Sequence, residues 1–148
     1  MEFNRHISRR LHEEHGATLA LWGKLEASLA GGKLDAALVR SAAAALADEV
    51  ERHFRFEEEA LFPRLAAAGE GDIAELLTEE HAAIRAAANA FIALAKADPA
   101  QPQLKPLALE LAERLVSHVQ KEEMALLPAL DDLLDEATDR ELQLAYAS

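Results

Sequence analysis

No cysteine occurs in the 148 residues of this chain. That removes disulfides, thiolate-bound zinc and cysteine-held iron–sulfur clusters from the chemistry open to it. The absence is compatible with a reducing compartment, and a cytoplasmic location is the expectation. Aromatic residues are scarce at 5%, while alanine and leucine are plentiful, a balance that favours helices over a sheet. Basic residues are outnumbered, with 15 Lys and Arg against 27 Asp and Glu for a formal charge of −12. Nucleic acid and anionic membrane surfaces repel such a chain, so neither is an expected partner. No apolar run approaches the ~20 residues that a membrane span needs. The opening MEFNRHISRRLHEEH has basic residues but no apolar stretch, and does not read as a secretory signal.

Glycine and proline are also few, six and five, and they fall as punctuation between apolar-periodic segments. Gly31-Gly32 ends a first segment that carries Leu11, Leu19, Trp22, Leu25 and Leu29. Asp35 is placed to cap a second, which runs through Leu46, Val50, His53, Glu57 and Leu61. Pro63 is expected to kink its end and Gly69 or Gly71 to stop it. Asp72 with Glu75 has the form of a capping box ahead of a third segment through Leu77, His81, Ile84 and Phe91. After DPAQPQ a fourth runs through Leu104, Leu111, Leu115, His118 and Glu122 as far as Pro128. Thr138 with Glu141 marks the start of a short tail helix. The expected fold is all-α, a single domain over residues 1–148 built as an up-down-up-down four-helix bundle with a short C-terminal helix.

The chain also repeats itself. HFRFEEEALFPRL at residues 53–65 returns as HVQKEEMALLPAL at 118–130, so that His53, Glu57, Glu58 and Pro63 answer to His118, Glu122, Glu123 and Pro128. The triplet Glu13, Glu14, His15 returns as Glu79, Glu80, His81. All four of these histidines lie in the apolar stripes of their helices, and Glu57 and Glu122 follow on the same face one turn later. Each histidine stands at a similar distance from the turns beside it. At about 1.5 Å of rise per residue, all four therefore converge at mid-height. A lone histidine on an apolar face needs only a hydrogen-bond partner. Four imidazoles and two carboxylates in one core are harder to place without a ligand, because buried carboxylates are costly unless paired or metal-bound and imidazoles need partners too.

Nitrogen and oxygen donors without sulfur suit iron, manganese or zinc. Six donors exceed the usual four of a single zinc ion. Two six-coordinate ions offer about twelve positions, of which two bridging carboxylates, four imidazoles and a bridging oxo or hydroxo group fill about ten. The ferritin-like pattern of Glu-x-x-His does not occur, since His12, Val50, Thr78 and Leu115 precede the four histidines by three. The series His15, His53-x-x-x-Glu57, His81, His118-x-x-x-Glu122 resembles the hemerythrin-like family of HHE cation-binding domains, and the likeness covers nearly the whole chain. The resemblance implies a four-helix bundle with two non-haem iron ions that binds oxygen or related small molecules. His15, His53, His81 and His118 match the family's terminal ligands, and Glu57 and Glu122 its bridges. Oxygen-carrying invertebrate members have a second histidine where this chain has Arg85, and their spacing would select Glu123 over Glu122. The four-histidine, two-glutamate set instead resembles bacterial members tied to nitric oxide and to repair of iron centres, although those repair proteins usually add a cysteine-bearing region. The expected function is thus binding or sensing of oxygen or nitric oxide at two Fe ions, with Zn or Mn as alternative metals. The rivals are redox turnover of nitric oxide or peroxide, repair of iron centres, and metal storage.

Several neighbours carry expectations of their own. His12 is a candidate fifth imidazole at the core edge, and His6 is expected in solvent. Glu58 and Glu123 either replace their neighbours as ligands or hydrogen-bond to them. Arg85 either reaches outward or neutralises an acid near the site. Glu49, Glu70 and Glu136 are expected to be solvated, and Trp22, Phe54, Phe56 and Phe91 to pack the bundle. Emptied of metal, the site is expected to lose stability near about pH 5 to 6, as imidazoles with an ordinary pKa near 6.5 become charged in an apolar layer.

Overall fold

The computed structural model describes residues 2–147, and among them it is all helical, without a strand. Helix α1 (His6–Ala30) is followed by a second rod over residues 36–67. That rod consists of α2 (Ala36–Asp48), two π-helical stretches (Glu49–Phe54 and Glu57–Leu61) and α3 (Phe62–Ala67). Helix α4 (Gly71–Ala97) forms the third rod. The fourth runs from α5 (Leu104–Lys121) through a π-helical turn (Glu122–Leu126) into α6 (Leu127–Leu133), and α7 (Glu136–Ala147) closes the chain. Helix α1 packs against α2, α5, α6 and α7, while α4 packs against α2, α3 and α5. No helix among the described residues is long and apolar enough to cross a membrane.

Neither proline ends its helix. Phe62 N–H reaches back to Glu57 O and Leu127 N–H to Glu122 O, wide π-type bonds that close one residue before Pro63 and Pro128. A proline offers no N–H and crowds the carbonyl one turn earlier. A π turn lets the rod continue past that obstacle. Gly69 does what its position predicts, since its positive φ of 90° lets Glu70 N–H close on Leu65 O at 2.9 Å. Asp35 caps α2 by accepting from the Ala37 and Leu38 N–H groups.

Two expected caps are not formed. Asp72 lies inside the first turn of α4, whose N-cap residue Glu70 makes no side-chain bond. Thr138 is already helical in α7, and its N–H donates to Asp135 Oδ1 at 2.7 Å, so Asp135 takes the capping role. The tail helix does more than extend the chain. Buried Asp139 accepts from the His6 and Ile7 N–H groups at 2.8 and 2.9 Å and so satisfies the open end of α1.

The core falls into two apolar blocks. Trp22, Leu25, Leu46, Phe54, Ile84, Phe91, Leu111 and Leu115 belong to one. Ile7, Leu11, Leu61, Leu65, Leu77, Leu126, Leu130 and Leu142 belong to the other. Burying a leucine or phenylalanine side chain stabilises by about 1.5–3 kcal/mol, so each block is a substantial source of stability. In sequence, His15, His81 and His118 stand between residues of the two blocks, and a polar layer lies where the blocks meet.

Candidate metal centre

His15 on α1, His53 and Glu57 on the second rod, His81 on α4, and His118 and Glu122 on the fourth rod are all buried, none more than 2% exposed. Their donor atoms form two quartets, His15–His53–Glu57–Glu122 and His81–His118–Glu57–Glu122, each with its atoms within 4.8 Å of one another. The two carboxylates belong to both quartets, and their oxygens divide between them. Glu122 Oε1 lies 2.8 Å from His15 Nε2 and 3.9 Å from His53 Nε2. Its Oε2 lies 3.1 Å from His118 Nε2 and 3.7 Å from His81 Nε2. Glu57 places Oε2 at 3.2 Å from His53 Nε2 and Oε1 at 3.2 Å from His81 Nε2. Each carboxylate thus offers one oxygen to each imidazole pair.

The opposite edge of every imidazole is held by an outer carboxylate. His53 Nδ1 meets Glu14 Oε1 at 3.0 Å, and His81 Nδ1 meets Glu58 Oε2 at 2.7 Å. His118 Nδ1 meets Glu80 Oε1 at 2.8 Å, and His15 Nδ1 meets Glu123 Oε2 at 2.7 Å. Each outer acid comes from the rod before the histidine it serves, and the fourth rod serves the first, so the contacts close a ring around the molecule. A carboxylate on Nδ1 fixes the tautomer and turns the Nε2 lone pair inward. The outer acids are themselves anchored. Arg85 grips both oxygens of Glu58 at 2.6 and 2.8 Å, Arg52 spans both of Glu14 at 3.3 Å, Lys121 pairs with Glu80 and His12 with Glu123. Phe54 lies flat against His81 with ring centroids 3.8 Å apart and fixes that ring's plane.

Inward-turned Nε2 atoms and ionised carboxylate oxygens are all acceptors, so the centre of the layer lacks a positive charge. Glu57 Oε1 and Glu122 Oε2 are buried with imidazole Nε2 atoms 3.2 and 3.1 Å away, and neither makes a well-formed hydrogen bond. In the metal-free protein protons fill the gap. Burial pulls the His15 pKa down, but Glu122 and Glu123 outweigh it and raise it to about 9. His81 is likewise lowered by burial and raised further by Glu122 and Glu57, again to about 9. Burial pushes Glu122 up, yet His118, His15 and His53 hold it well below the ordinary carboxylate range. These directions describe imidazoles that favour the charged form paired with a Glu122 that favours the ionised one.

The family model of the hemerythrin HHE cation binding domain matches residues 6–130. The chain belongs to this family. It matches no curated protein and no solved structure at a significant level. A hemerythrin-type domain binds cations, and the buried histidine–glutamate layer found here has the donors to do so. Arg85, where the oxygen-carrying members would place another histidine, neutralises Glu58 and offers the centre no donor.

All six residues singled out in the sequence come together. His12 does not join them; it is exposed and paired with Glu123. Glu58 and Glu123 face Nδ1 edges rather than the centre. Glu49 corrects an expectation, since it is 8% exposed, not solvated, and lies 3.8 Å from His53 Nδ1. Burial raises its pKa, though His53 draws it back. Its place three residues after Leu46 and four before His53 already puts Glu49 on the buried face, unlike the exposed Glu51, and Thr18 of α1 hydrogen-bonds to it there. Glu14 and Glu80 were visible only as echoes in the repeated triplet, which could have revealed their role. Tyr146, hydrogen-bonded to Glu14 from the tail helix, had no sequence signal.

Proposed function

We propose that this hemerythrin-type chain holds two iron ions between its four rods and binds or senses oxygen or nitric oxide there. In this reading His15 and His53 are terminal ligands of one ion and His81 and His118 of the other, with Glu57 and Glu122 bridging. The observation that supports it best is the division of each carboxylate's oxygens between the two imidazole pairs. The nitrogens nearest Glu57 Oε1 and Glu122 Oε2 are imidazole Nε2 atoms, which are themselves metal donors when unprotonated. Two iron ions would supply redox-active metal with coordination positions left for a small molecule. The outer acids orient the imidazoles and make them more basic donors. The two apolar blocks keep bulk water from the layer between them. We also infer that the rods alternate in direction as one domain, which the short connections at residues 31–35, 68–70 and 98–103 favour.

The test is metal analysis of the purified protein, anaerobic reduction, and exposure first to oxygen and then to nitric oxide. About two irons per chain and a near-ultraviolet absorption change that reverses on removal of the gas are expected. One metal ion or none would overturn the two-ion arrangement. Sustained loss of gas in the presence of a reductant would replace binding by turnover.

A further inference from the structure

The internal repeat makes the two halves of the donor layer near-equivalents, so a residue that touches only one half stands out. Glu14 and Glu80 are counterparts in the repeated triplet and hold His53 and His118 in the same way. Both acids also pair with cations, but only Glu14 is joined by a hydroxyl from the tail helix. The hydroxyl of Tyr146, in α7, donates to Glu14 Oε1, the oxygen that also meets His53 Nδ1. The Tyr146 ring is fixed from several directions. Phe56 packs against it at 4.6 Å, the guanidinium carbons of Arg52 and Arg10 lie 4.8 and 5.3 Å from its centroid, and the His53 ring meets it edge-on at 6.3 Å. Tyr146 is 5% exposed, so α7 is docked where this contact is made. Residues 136–147 lie beyond the family match, which ends at 130.

We propose that Tyr146 is a positioning residue for His53, acting through Glu14, and that its support is confined to the His15/His53 half of the metal centre. The inference rests on the two-ion reading above. Glu14 must present one oxygen to the imidazole N–H while Arg52 and Arg10 pull on the same carboxylate. A hydroxyl bonded to that oxygen stops the carboxylate from rotating toward the arginines. Without it, Glu14 has a second well-satisfied orientation, and His53 loses the fixed N–H contact that aims its Nε2 inward. Outer partners of metal-bound histidines commonly change affinity by about 10–100-fold. A partner one step further out should fall at the lower end.

The test uses Tyr146→Phe, which keeps the ring and its packing and removes only the hydroxyl. Zn²⁺ alone is the probe, because it is diamagnetic and imidazole ring nitrogens can be followed by NMR during titration. In the unaltered protein all four Nε2 signals should shift as two ions bind. In Tyr146→Phe, affinity at His15 and His53 should fall about tenfold while that at His81 and His118 stays unchanged. The double variant with Glu14→Gln should lose no more than Glu14→Gln alone. Leu142→Ala, which loosens the packing of α7 but keeps the hydroxyl, should lower the melting temperature without selecting one half. Equal weakening of both halves, or none, would overturn the proposal. If the unaltered protein does not take two ions, the two-ion reading fails by itself. The metal-free protein then decides for Tyr146, because the His53 Nδ1–H proton should exchange with water faster in Tyr146→Phe, and equal rates would sink the idea.

Discussion

At the scale of single residues, neighbours in sequence do opposite work. Glu79 and Glu80 are adjacent, yet only Glu80 reaches an imidazole, while Glu79 is exposed. Glu80→Ala should therefore weaken metal binding by about 10–100-fold, and Glu79→Ala should leave it unchanged, as read by competition with a coloured chelator. Glu57→Ala should go further and remove at least one ion, because its two oxygens face both imidazole pairs. Full metal occupancy in Glu57→Ala would contradict its bridging role. The pairing of doublets also explains what could be read from the sequence. The repeat exposed His53 with Glu57 and His118 with Glu122 because ligands must share a helix face one turn apart. It did not expose Glu49, because Arg114 stands at the matching position of the second half.

At the scale of elements, periodicity fixed where each rod runs but not how it ends. Leu11, Leu25, Leu46, Leu77 and Leu111 are core residues as their spacing requires. The second rod runs past Pro63 to Ala67 as expected, but Pro128 misled, since breaking an α-helix is only one way to accommodate a missing N–H, and here a wider turn was used. Caps at Asp72 and Thr138 failed for a related reason, because a box pattern states a preference that tertiary contacts can override. The Asp139 contact with the start of α1 joins residues far apart in sequence, which no local window can see. Replacing a capping acid typically costs about 0.5–2 kcal/mol. Asp139→Ala should thus lower the melting temperature by several degrees, roughly 2–4 °C per kcal/mol for a chain of this size. An unchanged melting curve would mean that the tail acid contributes nothing to α1.

At the scale of the whole molecule, the two apolar blocks and the ionic layer between them answer differently to metal and to pH. The blocks should keep the metal-free protein folded, while metal at a hundred times its dissociation constant adds about 2.7 kcal/mol. Chelation should therefore lower the melting temperature yet leave one cooperative transition. The expected loss of stability near pH 5 to 6 does not follow from the structure. His15 and His81 are raised on folding from 6.5 to about 9. A group raised in this way stabilises fully below its unfolded value and stops doing so as pH climbs through its folded one. The lowered acids Glu58, Glu80 and Glu123 stabilise above their ordinary 4.5 and lose that contribution only as pH falls through their folded values. Metal-free protein should consequently melt higher at about pH 6 than at about pH 9, and a flat profile between them would contradict the ionic pairing. The ring of outer carboxylates has one more consequence. Each rod hands its acid to the next, so the ring is defined by which helices stand side by side and not by which are covalently joined. Cleaving the backbone at Gly69 would yield two complementary pieces, each completing one acid–imidazole handoff within itself and sharing the other two across the cut. Mixed together, those pieces should reassemble, with metal ion acting as the rivet.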